Sequence, residues 1–290
     1  MSRLALLPLL LFLLAFRSDD KPAYRLFTAS GKAVGYEPMI KELTQADVVL
    51  FGEQHNDPMA HWLELQVLRD LARRKAGELV LGLEMFERDV QPLVQQYNVG
   101  ELDDKAFAEG SRPWPNYDTD YKPLLQLARQ QKLRVVGTNV PRRYATQVAR
   151  GGLTALDALP AEEKQWLVPL PIKVDFTLPG YQNMARMFGA DGAHSAATQN
   201  IIQAQALKDA TMAHFIRQSR QPGQLLLHVN GSYHSDNFDG IVWYLRQAEP
   251  GLRIRTISTV TQEQLSKLDK ENQQKADFVL VVPADMTKTY

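Results

Sequence analysis

The sequence contains no cysteine in its 290 residues. This absence excludes disulfide bonds, thiolate nucleophiles, cysteine-ligated zinc, iron–sulfur clusters and lipid attached to a cysteine. A chain of this length buries enough apolar surface to fold without covalent cross-links. The stability of the fold must therefore come from packing and hydrogen bonds.

The sequence also lacks a net charge, because 33 basic residues balance 33 acidic residues. It has no long run of charges of one sign. Proteins that bind nucleic acid normally carry a basic surplus or a basic stripe. The composition therefore argues against a nucleic-acid partner.

An apolar run stands at the N-terminus. Arg3 precedes the apolar stretch 4–16, and the polar stretch 17–22 follows it. This length suits a secretory signal better than a membrane span, which needs about 20 apolar residues. No small-x-small cleavage site is visible, so residues 1–22 are predicted to form a signal peptide or an N-terminal anchor. We expect an exported protein, periplasmic or membrane-associated, that is not a cysteine-anchored lipoprotein.

From residue 23 onward, apolar strand patterns alternate with helical patterns. The predicted strands cover residues 46–51, 78–83, 133–138, 224–229, 252–258 and 277–282. This alternation predicts an α/β fold with three layers, α/β/α, around a mainly parallel sheet. The stretch of about 152–222 has no strand pattern and is predicted to be a small helical lobe inserted into a domain of residues 23–290. A capping-box pattern at Thr261 predicts a further helix before the last strand.

Four of these strands run directly into ionisable or amide side chains. The residues concerned are Glu53, His55, Glu84, Arg142, Asn230 and His234. The carboxyl ends of parallel strands share one edge of a sheet, and ligands bind along that edge. We therefore expect these side chains to converge on one crevice.

Carboxylates and imidazoles in one crevice suit two kinds of chemistry. They are ligands for a divalent metal ion, and they also form a general base with its orienting carboxylate. The candidates for both roles are Glu53, His55, Glu84 and His234. The residues expected to orient or support them are Asp209, Asn230 and Arg142.

Each candidate also has a simpler structural interpretation. Glu53 would cap the helix that follows it, and Glu84 would form a salt bridge with Arg88 or Arg142. His228, inside its strand, is more typical of a core histidine bonded to the backbone. The absence of a Gly-x-Ser-x-Gly motif argues against a serine hydrolase.

Aromatic residues indicate a second kind of ligand. In the middle lobe, Tyr181 precedes two methionines and a phenylalanine, and His194 follows shortly after. Such a set suits a flat cofactor such as haem, whose iron accepts a tyrosine or histidine ligand. Tyr117 lies in a second aromatic cluster. Aromatic and methionine side chains at helical spacing are more typical of a core than of a cofactor site, and both interpretations stay open.

Six sequence blocks stand in order along about residues 45–245. They are 52–58 with His61, 83–89 with Gln91, 114–117, 139–141, 204–213 and 230–234. Together they resemble the ChaN-like family of bacterial haem-binding uptake proteins. The resemblance implies an α/β/α fold, a tyrosine-ligated haem and a role in iron acquisition. The wider superfamily is similar to the Tiki metalloproteases and the erythromycin esterases.

Two hypotheses follow. In the first, the resemblance implies a tyrosine ligand to haem iron, for which Tyr181 is our candidate, and His194 or a basic residue meets the propionates. A homodimer formed on haem binding and an outer-membrane haem receptor are the expected partners. In the second, the chain is a hydrolase, with or without a divalent metal ion, and uses the crevice at the strand ends. The sequence leaves both open.

Overall fold

The computed structural model describes residues 21–188 and 195–290. A seven-stranded sheet forms the centre of the described residues, with the order β1-β7-β6-β2-β5-β3-β4. Its strands are β1 (Arg25–Thr28), β2 (Val48–Glu53), β3 (Leu79–Glu87), β4 (Arg134–Asn139), β5 (Leu225–Gly231), β6 (Ile254–Gln262) and β7 (Phe278–Pro283). Only the β1–β7 pairing in this part of the chain is antiparallel. The predicted α/β fold with a mainly parallel sheet is confirmed.

Helices follow most of the strands. They are α1 (Tyr36–Leu43), α2 (Pro58–Arg74), α3 (Gln91–Val99), α4 (Asp104–Ser111), α5 (Lys122–Gln130), α6 (Arg142–Gly151), α7 (Ala161–Lys164), α8 (Pro179–Arg186), α9 (Ala196–Ser219) and α10 (Ile241–Ala248). A π-helical segment, Tyr117–Tyr121, precedes α5. Between residues 152 and 222 the described residues contain helices, turns and loops but no strand. His194, a predicted haem-site residue, lies outside the described residues.

The sheet is buried on both faces, because successive side chains of a strand point to opposite sides. Val49 of β2 belongs to an apolar cluster that includes Leu63 of α2. Its neighbour Val48 belongs to a different cluster, which includes Met212 of α9 and Ile241 of α10. The strands therefore lie between two helical layers, as their near-continuous apolar sequences indicate.

One predicted helix is wrong. Thr261 and Gln262 end strand β6, where they pair with Val282 and Pro283 of β7. The Gln262 side chain then organises the following loop: its Nε2 donates to the Lys267 carbonyl at 3.0 Å, and its Oε1 accepts from the backbone of the same loop. Pairing with the adjacent strand thus overrides the local capping-box pattern.

No helix in the described ranges is both long and apolar enough to span a membrane. Residues 1–20 of the predicted signal or anchor segment lie outside those ranges, so that prediction stays a prediction.

Candidate functional site

The strand order places the predicted strand ends side by side at the carboxyl edge of the sheet. Glu53 of β2 is level with Gly231 of the adjacent β5. The backbone N–H of Gly231 donates to Glu84 Oε2 of β3 at 2.7 Å. A Cβ added at Gly231 would lie 2.7 Å from His55 Cε1, so a larger residue there would force the His55 ring to move. The 3-10 turn directly after β5 carries His234 to the same edge.

Glu84 and His234 form a buried ion pair at this edge. His234 Nε2 lies 3.1 Å from Glu84 Oε1, and its Nδ1 lies 2.5 Å from Asp209 Oδ1. Burial by itself would lower the pKa of His234, but the charges of Glu84 and Asp209 outweigh it and raise the pKa to about 10. Burial would raise the pKa of Glu84, but the positive charge of His234 lowers it to about 2. At neutral pH an imidazolium therefore donates to a carboxylate on each side.

Asp209 connects this pair to Tyr181. The Tyr181 hydroxyl donates to Asp209 Oδ2 at 2.7 Å, and Tyr181 is only 3% exposed. Burial, together with the negative charge of Asp209, raises the pKa of Tyr181. The phenol therefore supports a buried carboxylate in this conformation.

Glu53 and His55 form a second carboxylate–imidazole pair, in which the carboxylate is buried and the imidazole faces solvent. His55 Nδ1 donates to Glu53 Oε1 at 2.7 Å, and 40% of the His55 side chain is exposed. The Tyr121 hydroxyl donates to the same carboxylate oxygen at 2.6 Å. Burial by itself would lower the pKa of His55, but the bond to Glu53 and the charge of Glu84 raise it. The pair has the geometry of a histidine acid–base group held by an orienting carboxylate.

Behind His55, Glu53 also belongs to a deeper cluster with two residues of α2. His61 Nδ1 lies 3.1 Å from Glu64 Oε2 and 3.4 Å from Glu53 Oε2. His61 Nε2 donates to the His55 carbonyl at 3.1 Å and lies 3.3 Å from Asp120 Oδ2. The four side chains of this cluster belong to residues no more than 6% exposed. Three carboxylates therefore surround one imidazole in the interior.

A cavity of about 820 Å³ opens at the same edge of the sheet. Its volume lies within the range of about 300–1,000 Å³ that is typical of ligand pockets. Its apolar lining residues are Met85, Pro113, Trp114, Pro115 and Val140. His55, Glu84 and His234 also line it, together with Tyr290. The cavity thus combines an apolar wall with ionisable groups from three strand ends.

Basic residues complete the lining of the cavity. Arg112 and Arg143 are already paired with Asp89, at 2.5 and 2.6 Å. Arg142 and Lys208 line the cavity as well, and neither forms a salt bridge within the described residues. Two cationic side chains are therefore available to an anionic ligand.

Comparison with known proteins identifies the family. The family of haem-binding uptake proteins of the Tiki superfamily, ChaN, matches residues 39–245. The chain belongs to this family. The resemblance stated from the sequence is therefore confirmed.

Solved structures show the same fold. A structure of ChaN from Campylobacter jejuni, described as showing cofacial haem binding, has a TM-score of 0.67 at 18% sequence identity, covering 89% of this chain and 96% of that chain. A structure of a Bacillus cereus protein has a TM-score of 0.51 at 13% identity, covering 85% of this chain and 90% of that chain. Comparison with curated proteins gives no match.

In this ChaN-family chain, the two tyrosines predicted to contact haem do not line the cavity. Tyr117 is buried in an aromatic core cluster with Phe86 and Phe107, and burial raises its pKa. Tyr181 is held by Asp209. Both positions fit the core interpretation that the sequence left open.

The simpler interpretations of Glu53 and Glu84 do not describe the ChaN-family chain. The residue that caps α2 is Asp57, whose carboxylate accepts from two backbone N–H groups of the helix. Glu84 pairs with His234, while Arg88 donates to the Gly137 carbonyl at 2.8 Å. The two carboxylates at the strand ends therefore pair with histidines of the site, Glu53 with His55 and Glu84 with His234.

His228 and Asn230 are core residues of this fold. His228 bonds to Thr138 Oγ1 at 2.7 Å and to Asn230 Oδ1 at 3.0 Å, and burial lowers its pKa to about 4. Its partners are therefore side chains and not the backbone that the sequence suggested. Asn230 also donates to Ser235 Oγ at 3.1 Å, which supports the turn that carries His234.

Sequence reasoning missed the deeper cluster of the ChaN-family chain. In the described residues, Glu53, His61 and Glu64 present ligand atoms close enough to hold a metal ion, and of these three the sequence predicted Glu53 as a ligand. The missed signal is the His-x-x-Glu spacing of His61 and Glu64, which puts both on one face of α2. Asp120 and Tyr121 come from the π-helical segment, a kind of segment that is frequent at functional sites.

Proposed function

We propose that this ChaN-family protein binds haem in the cavity at the carboxyl edge of the sheet and serves bacterial iron uptake. The observation that carries the proposal is the make-up of the cavity. One wall is apolar, and two cationic side chains lie in the lining without a salt bridge in the described residues. Haem has a flat apolar ring and two carboxylates, so it matches both parts of this lining.

The haem propionates are expected to meet Arg142 and Lys208. Arginine and lysine are the usual partners of carboxylates, and each contact to an exposed charge contributes a few tenths to about 1 kcal/mol. The ring would lie against Trp114 and Met85, whose aromatic and thioether groups make favourable contacts with a flat π system. Electrostatic contacts would orient the haem, and apolar burial would supply most of its affinity.

We propose a tyrosinate as the iron ligand. Among the tyrosines, Tyr290 lines the cavity and is 62% exposed. Tyr181, the candidate from the sequence, would reach a haem only after its hydroxyl leaves Asp209. The geometry therefore favours Tyr290 over Tyr181 as the phenolate donor.

We further propose that the protein is exported and that two chains enclose a pair of haems, with an outer-membrane haem receptor as the expected partner. The ChaN structure from Campylobacter jejuni is described as showing cofacial haem binding, and this chain has the same fold. Light scattering of the full chain, with and without one equivalent of haemin, measures the oligomeric state. A doubling of mass on haemin addition is expected, and an unchanged mass would contradict the dimer.

A haemin titration of the apo-protein tests the function. A saturable shift of the Soret band, with the charge-transfer band of phenolate-bound ferric haem, is expected. Tyr290→Phe should remove that band, and Tyr181→Phe should keep it. The opposite pattern would return the ligand role to Tyr181, and the absence of any saturable shift would overturn the haem proposal.

A second candidate function, hydrolysis, is favoured by the Glu53–His55 pair. Its imidazole faces the cavity and its carboxylate orients the ring, as a general base towards water requires. The metal-dependent version, with a divalent ion held by Glu53, His55, Glu84 and His234, requires both existing carboxylate–imidazole pairs to open. Turnover of ester substrates that disappears in His55→Ala, in haem-free protein, would support this second function.

A further inference from the structure

The deeper cluster presents ligand atoms at the spacing of a metal coordination sphere. Glu53, His61 and Glu64 each offer one ligand atom, and these atoms lie within 4.8 Å of one another. His61 Nδ1 is 3.1 Å from Glu64 Oε2 and 3.4 Å from Glu53 Oε2. Ligand atoms take up such separations around an ion when the bonds are about 2.0–2.2 Å long.

Two carboxylate oxygens in this cluster have no hydrogen-bond partner among the described residues: Glu53 Oε2 and Glu64 Oε1. Glu53 is 2% exposed and Glu64 is fully buried. An unpaired buried carboxylate oxygen is expensive, because water no longer solvates its charge. Glu53 Oε2 is directed at the cluster, since its other oxygen accepts from His55 and Tyr121. Glu53 Oε2 therefore makes no hydrogen bond, and His61 Nδ1, 3.4 Å away, is the nearby group that can offset its charge.

The orientation of His61 supplies a second argument. Its Nε2 lies 3.1 Å from the His55 carbonyl, and a carbonyl oxygen only accepts, so Nε2 carries a proton. Without an ion, Nδ1 also donates to Glu64 Oε2 at 3.1 Å, and an ion bound at Nδ1 would replace that proton. Metal-binding histidines are held in the same way, with the second ring nitrogen donating to a carbonyl or carboxylate. Asp120, 3.3 Å from Nε2, completes that arrangement.

The charges of the cluster are unbalanced. Glu53, Glu64 and Asp120 supply three carboxylates, whereas a protonated His61 supplies one positive charge. A divalent ion would neutralise the excess negative charge that protons must otherwise neutralise.

We propose that Glu53, His61 and Glu64 bind a divalent first-row transition ion behind the cavity. One imidazole and two carboxylates suit zinc or manganese better than magnesium or calcium, which prefer oxygen ligands throughout. The ion is distinct from haem iron, because the three residues are buried and do not belong to the apolar wall. Glu53 joins the ion to the cavity: one of its oxygens binds the ion, and the other holds His55. The ion thereby influences the charge of the imidazole that faces the ligand.

Metal content and thermal stability of the haem-free full chain test the site. About one equivalent of zinc or manganese is expected after dialysis against metal-free buffer. For chelator-stripped protein, adding Zn²⁺ or Mn²⁺ at about 100 times its Kd should raise Tm by roughly 5–10 °C. A stripped protein that shows no Tm shift with either ion would overturn the proposal and would mean that protons balance the cluster.

The position of the ion is tested in crystals of the wild-type protein soaked with Zn²⁺. Anomalous scattering at the zinc edge should give a peak between Glu53, His61 and Glu64. A zinc peak at Glu84 and His234 only would overturn the proposal and would support the metal ligands first predicted from the sequence. Because the wild-type chain is used, the result does not depend on whether a variant folds.

Matched substitutions give an independent readout. Glu64→Gln keeps the shape of the side chain and removes its charge, so metal affinity should fall about 100-fold or more. Glu163→Gln is the control, because Glu163 is a carboxylate outside the site that accepts a hydrogen bond from Tyr144. Metal affinity of the control should equal that of wild type. Equal losses in both variants, or none in Glu64→Gln, would contradict the assignment.

Discussion

The ion pair between Glu84 and His234 gives a quantitative prediction for the stability of the site. Glu84→Gln removes the negative charge of Glu84, whose Oε1 lies 3.1 Å from His234 Nε2. The two side chains are only 5% and 7% exposed. Removing one partner of a buried pair costs about 3–5 kcal/mol. The glutamine oxygen can still accept from the N–H of Gly231, so we expect the lower end, about 3 kcal/mol.

The contribution of this pair depends on pH in a direction that follows from its two pKa values. The pKa of His234 is raised from 6.5 to about 10, so its share of the stability is complete below pH 6.5 and is lost as pH rises through 10. The pKa of Glu84 is lowered from 4.5 to about 2, so its share is present above pH 4.5 and is lost as pH falls through 2. The destabilisation by Glu84→Gln should therefore be greatest between pH 4.5 and 6.5.

Urea unfolding of wild type and two variants at pH 5.5 and pH 10 measures this effect. The control is Glu87→Gln, three residues along the same strand, where the carboxylate pairs with a half-exposed Arg112. The control should lose at most about 1 kcal/mol. The reasoning is refuted if both variants lose the same free energy, or if the loss in Glu84→Gln is as large at pH 10 as at pH 5.5.

Two further predictions concern residues that pack around the site. Gly231→Ala should lower the free energy of unfolding by about 1–3 kcal/mol, because the new Cβ would lie 2.7 Å from His55. Gly251→Ala is the control, because no atom lies within 4 Å of the new Cβ. Equal unfolding midpoints in the two variants would contradict the packing argument. Tyr181→Phe should cost about 1–3 kcal/mol, because Asp209 loses a buried donor; an unfolding midpoint equal to that of wild type would show that this bond contributes little.

The sequence predicted the strand ends of the site because their signal is local. Apolar runs predict buried strands, and parallel strands bring their carboxyl ends to one edge, so Glu53, Glu84 and His234 were expected close together. The partner of each carboxylate was not predictable in the same way. Glu84 meets His234 because β5 lies between β2 and β3. That order depends on the path of the chain through the middle lobe, which no local pattern encodes.

The deeper cluster was missed for a different reason. His61 and Glu64 occupy a helix whose apolar residues predict its packing, and a polar pair on such a helix normally faces solvent. Here the pair is buried because Glu53 and Asp120 approach it from β2 and the π-helical segment. Thr261 shows the opposite case, since a local helix signal was overridden by strand pairing. Local patterns therefore predict elements well, but contacts between distant elements decide which polar groups are buried.

The measurement that tests the central claim most directly is haemin affinity in two charge-matched variants. The first is the double variant Arg142→Gln/Lys208→Gln. It removes the two cations of the cavity lining that have no salt bridge in the described residues. The second is the control, the double variant Lys41→Gln/Arg69→Gln. It removes two exposed cations that do not line the cavity. The first variant should bind haemin about 5–30-fold more weakly than wild type, since each propionate contact contributes roughly 0.5–1 kcal/mol. The second variant should bind like wild type; equal affinities in all three proteins would contradict haem binding in this cavity.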